Sequence, residues 1–91
     1  MPNYLISYDL RKQRNYDALI QQLRDWNCIS PLRSVWLGTL NGTASGVRDA
    51  LRKHCDGDDG LLVVELVKGA DWATAQVNEK ADLWLSAKVA P

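Results

Sequence analysis

Asp9 closes an apolar segment, Tyr4-Leu5-Ile6-Ser7-Tyr8, and opens a polar stretch that carries Arg11, Lys12 and Arg14. A carboxylate at the end of a strand is commonly a solvated turn residue or the cap of the loop that follows. Arg11, Lys12 and Arg14, with Arg33 further along, flank this loop once the strands pair. They can meet phosphates, which would make binding fall with added salt, or they form an ordinary solvated loop.

Other residue types exclude more than they suggest. His54 is the only histidine, so a histidine-rich metal cluster or a two-histidine phosphodiesterase site is ruled out; at a helix end it suits the dipole. Cys28 and Cys55 fit no zinc or redox spacing and read as small buried residues. Asp56, Asp58 and Asp59 resemble the start of a calcium loop, but Val67 stands where the closing glutamate belongs, so they read as a turn. Tyr8, Trp26, Trp36, Trp72 and Trp84 can stack on bases, yet their apolar neighbours favour packing for most, with Trp72 left open.

These residues must be carried by one body. The chain has 91 residues, enough for a single domain over 1–91 and too few for two separate cores. Hydrophobic residues make up 46% and charged residues 24%, the balance of a folded globular protein. Basic and acidic residues number 11 each, so phosphate binding needs a local basic patch. No apolar run approaches the roughly 20 residues of a membrane span, and Met1-Pro2-Asn3-Tyr4 lacks a secretion signal's basic start, so a cytoplasmic protein is expected.

The periodicity predicts the elements. Residues 4–8 form a buried strand. From a cap at Asn15, Tyr16, Leu19, Ile20, Leu23 and Trp26 recur at helical spacing. Ile29–Leu32 reads as a short strand that Pro31 limits to an edge or a bulge. Ser34–Leu40 is a strand closed by Asn41-Gly42. Thr43 caps a helix turning Val47, Ala50 and Leu51 inward. Leu61–Val67 is nearly continuous in apolar residues, as in a strand buried on both faces or covered by a partner. Asp71–Val77 reads as a further strand, and Asn78 caps a last helix using Ala81, Trp84, Leu85 and Lys88. The order predicts an antiparallel sheet with two helices on one face.

The stretch Tyr4-Leu5-Ile6-Ser7-Tyr8-Asp9-Leu10, then a helix, then Arg33-Ser34-Val35-Trp36-Leu37-Gly38, resembles the paired signature of the CRISPR-associated Cas-two family and of short bacterial relatives of it. The likeness covers roughly residues 3–67. Leu32 and Leu37 depart from it, standing where the family often has glutamine and glutamate, and the segment from Asp71 follows no family pattern. The resemblance implies an α+β, ferredoxin-like βαββαβ sandwich, here with residues 68–91 as a C-terminal extension. It also implies a homodimer whose twin aspartates, here Asp9, hold Mg2+ or Mn2+. Those ions prefer oxygen ligands and usually take one or two carboxylates, so one Asp9 per chain suffices only in a dimer. Catalysis would then fall to Asp9, with Ser34 positioning water or phosphate.

The family implies two jobs, metal-dependent cleavage of RNA or DNA and bridging of an integrase to DNA. Beside a nuclease or adaptor of this kind stand a noncatalytic dimeric interaction module and a VapD-type toxin ribonuclease, because related folds serve many functions.

Overall fold

Alternation along Asn3–Asp9 builds the centre of the molecule. In the computed structural model, which describes residues 1–11 and 16–89, this segment is strand β1 with Tyr4 and Ile6 turned into the core. Antiparallel partners flank it, Ile6 lying opposite Trp36 of β3 (Val35–Thr39) and opposite Val63 of β4 (Gly60–Glu65). Strand β2 (Ile29–Leu32) pairs with β3, giving the order β2-β3-β1-β4. Pro31 sits where the β2–β3 register shifts, between Ile29 and Leu32, on an outer strand as its missing N–H requires.

Helices α1 (Asp17–Asp25) and α2 (Ala44–Arg52) cover one face of the sheet. Leu19 and Leu23 recur every fourth residue on α1, as do Val47 and Leu51 on α2, and they pack with Tyr4, Ile6, Trp36 and Leu40. Leu19, Leu23 and Leu51 are fully enclosed, each worth roughly 1.5–3 kcal/mol of transfer free energy. Thr43 caps α2 as expected, its hydroxyl accepting the Gly46 N–H at 3.1 Å. Helix α1 is preceded by Tyr16, which makes no side-chain cap bond; the expected cap at Asn15 lies outside the described residues.

The other face is also covered. Helix α3 (Glu79–Lys88), capped by Asn78 through the Lys80 N–H, lays Ala81 and Leu85 against Leu37 and Leu5. The expected strand over 71–77 is not formed. Trp72 and Val77 pack with α3 onto the sheet face, so this backbone crosses over the strands instead of lying beside an edge. Two further expectations change. Ser34 lies outside β3 with a left-handed φ of 58°, and β4, as an outer strand, leaves Leu62 and Val64 exposed, which removes burial on both faces within one chain and leaves the alternative of cover by a partner. Among the described residues the fold is therefore α+β, with four antiparallel strands and three helices. No described helix is long and apolar enough to cross a membrane.

Candidate functional site

Asp9 ends β1 opposite Gly60, where the sheet opens to solvent, and its side chain is 73% exposed. The carboxylate is not isolated: Arg11 donates from Nε to Oδ2 at 3.2 Å. Arg11 also donates from Nη1 to the carbonyl of Asp58 at 3.0 Å, so its guanidinium ties the end of β1 to the loop before β4. Gly60 leaves the room for this, since a Cβ there would lie 3.3 Å from Arg11 Nη2 and 3.5 Å from the Cβ of Asp9.

Ser34 joins the same end of the sheet through its backbone, its carbonyl accepting the Tyr8 N–H at 3.2 Å. It forms the β2–β3 turn together with the exposed Arg33. The structure thus gathers Asp9, Arg11, Arg33 and Ser34 at one rim. Lys12 and Arg14 lie outside the described residues.

A divalent ion needs several oxygen donors around it. Among the described residues, the grouping of acidic, histidine or cysteine side chains tight enough for an ion is Asp56, Asp58 and Asp59, and Asp9 is not in it. With Arg11 already against its carboxylate, the donors that the described residues place around Asp9 do not fit Mg2+ or Mn2+.

The acidic turn is structural. Asp59 is only 3% exposed, and its carboxylate accepts the Arg11 N–H, the Tyr16 hydroxyl and the Asp56 N–H, each at 2.8 Å. A buried carboxylate is tolerable when such donors replace water. Arg52, at the end of α2, donates to the carbonyls of Gly57 and Asp59 at 2.8 and 3.3 Å and closes the same loop. The burial of Asp59 is not visible in the sequence, where no local signal separates it from its exposed neighbour Asp58.

Two expectations about packing residues hold. Trp36 is buried, its indole N–H donating to the Tyr8 hydroxyl at 3.1 Å, and Trp26, Trp72 and Trp84 are half-buried against the two cores. Cys28 is buried, and desolvation pushes its thiol up to about 11, which leaves it a poor nucleophile. Cys55 is half-buried and hydrogen-bonded to the carbonyl of Leu51. A cavity of about 540 Å³ lies at the opposite end of the sheet from Asp9, between Trp26, Leu40 and Val47. No carboxylate or histidine lines it. No family model, curated protein or solved structure matches the chain.

Proposed function

We propose that the protein is a Cas-two-like homodimer of the ferredoxin-like type that binds nucleic acid as a noncatalytic module in the cytoplasm. Read from the β4 edge, the strand order is β4-β1-β3-β2, with α1 and α2 on one face, and this supports the ferredoxin-like reading. The observation that carries the rest is the pairing of Asp9 with Arg11. A carboxylate neutralised by a guanidinium, and outside the acidic grouping of Asp56, Asp58 and Asp59, suits a binding rim better than a metal centre. Arg33 extends that rim, and Lys12 and Arg14 follow Arg11 in the chain. Such a module fits the adaptor job, holding DNA for an integrase.

Fluorescence anisotropy with labelled single-stranded RNA and double-stranded DNA tests this reading. Affinity should fall steeply as salt rises, with the probes intact after incubation in Mg2+ or Mn2+. Absence of binding at low salt, or metal-dependent products, would defeat it.

A second reading, a metal-dependent nuclease, draws on the exposure of Asp9 and on Ser34 sharing its rim. It requires a dimer that brings two copies of Asp9 together. Metal-dependent cleavage that disappears in Asp9→Ala, with the dimer intact, would establish it.

A further inference from the structure

The two outer strands of the sheet are built differently. β2 carries Pro31 and a register break, both of which discourage another strand from pairing there. β4, Gly60-Leu61-Leu62-Val63-Val64-Glu65, has no proline and no charge before Glu65, and its β1 register runs unbroken from Gly60 to Glu65. An outer strand of this kind presents unpaired N–H and C=O groups and invites augmentation. On its α3-side face Leu62 and Val64 are 56% and 42% exposed, beyond the cover that α3 gives to Leu5 and Leu37.

We infer that β4 pairs antiparallel with β4 of a second copy, about a two-fold axis at Val63, joining the two sheets into one. This rests on the homodimer reading above and adds where the dimer forms, at an interface other than one that would set the two Asp9 residues face to face. A two-fold axis places a residue opposite its mirror position about the centre. Centred on Val63, Leu62 of one copy lies opposite Val64 of the other, and the pair is repeated by symmetry. Directly opposed apolar side chains on one face are the stabilising unit of a sheet.

Charge supports the same register. Leu61, Val63 and Glu65 lie on the face covered by α2, and a groove there of about 370 Å³ is lined by Ala44, Ser45, Arg48, Leu61, Leu62 and Val63. Pairing about Val63 sets Glu65 of one copy opposite Leu61 of the other, within the groove that holds Arg48. Within one chain Arg48 pairs with its exposed neighbour Asp49, at 3.0 Å. A second copy therefore brings an acid to each of two symmetric basic grooves. A slip of the axis to Leu62 would instead set Glu65 beyond the start of the facing strand and lose the repeated Leu62–Val64 pair.

This dimer has a consequence for the rim. Gly60, the partner of Asp9, faces Leu66 of the other copy, so the two Asp9 residues stand about 20 Å apart along the strands, too far to share an ion.

Sedimentation equilibrium of the full chain, read beside circular dichroism, tests the interface. The unaltered protein should sediment as a dimer, and the double variant Leu62→Lys/Val64→Lys, on exposed positions, should stay folded while its dimer dissociation constant rises by at least tenfold. Arg48→Glu and Glu65→Arg should each weaken the dimer, and the two together should restore it. A dimer unmoved by the lysine pair and by both charge reversals overturns this interface while leaving the homodimer reading in place. A monomer at 100 micromolar, a concentration on the order of the weakest specific associations, overturns both. Should the lysine pair unfold the chain, failure of the charge swap to restore the dimer decides against the interface. Nucleic-acid anisotropy is measured separately, so loss of binding with a surviving β4 dimer defeats only the functional reading.

Discussion

The backbone N–H of Arg11 donates to Oδ1 of Asp59 at 2.8 Å, across 48 positions of sequence. The same carboxylate receives Tyr16 from the start of α1 and the Asp56 N–H after α2, so one buried side chain fastens both crossovers to the end of β1. Asp59→Ala would leave these donors facing a water-poor site. We expect a loss of about 2–4 kcal/mol in urea unfolding, and Asn, which keeps one acceptor oxygen, should lose less. A loss under half a kilocalorie would show that the loop is held by Arg52 alone.

Gly38 has no room for a side chain because the Sγ of Cys28 occupies the place of its missing Cβ. Gly38→Ala should therefore destabilise by about 1–3 kcal/mol, as overpacked sites do. Combining it with Cys28→Ala should recover much of that loss, since the sulfur is then gone. Additive effects in a double-mutant cycle would mean that the strain is relieved elsewhere.

The burial of Cys28 also sets an alkaline limit. Its thiol is pushed up to about 11 from an ordinary 9.0, so between those values the unfolded chain gives up a proton that the folded protein keeps. Stability contributed by the buried neutral thiol is full below pH 9 and is lost as pH rises toward 11. Comparing unfolding midpoints of the native chain and Cys28→Ala across this range isolates the effect: the native chain should fall more steeply. Parallel curves would contradict it.

Asp9→Ala removes an exposed ion pair and should change stability by no more than about 0.5 kcal/mol. Freed of its acid, Arg11 should bind nucleic acid more tightly at low salt, by about threefold, with the gain vanishing as salt screens it. Weaker binding in this variant would place Asp9 itself in contact with the ligand, against the reading of the rim as basic.

Much of the frame was legible from local chemistry. Ile29–Leu32 and its restriction by Pro31 follow from a missing N–H, and the caps at Thr43 and Asn78 follow from side chains that can accept a helix's first donors. The Tyr8 to Ser34 hydrogen bond joins the end of β1 to the β2–β3 turn. What was not legible depends on contacts distant in sequence. The apolar run of β4 reads the same whether the strand is central or outer, because composition reports hydrophobicity and not neighbours. Trp72 and Val77 suit a strand as well as a crossing over the sheet face. Asp59 differs from Asp58 only in which of them meets Tyr16 and the backbone of Arg11.

Helix α3 gives the two faces of the sheet different histories during synthesis. Tyr4, Ile6, Trp36 and their partners on α1 and α2 all precede residue 60, so the first core can close while the chain is still growing. Leu5 and Leu37 wait for Ala81, Leu85 and Val89, which means that a half-made chain displays a greasy, already ordered sheet surface until those residues arrive. Exposed sheet of this kind aggregates. Until Ala81, Leu85 and Val89 dock, that surface is the part of the sheet most open to association with another chain.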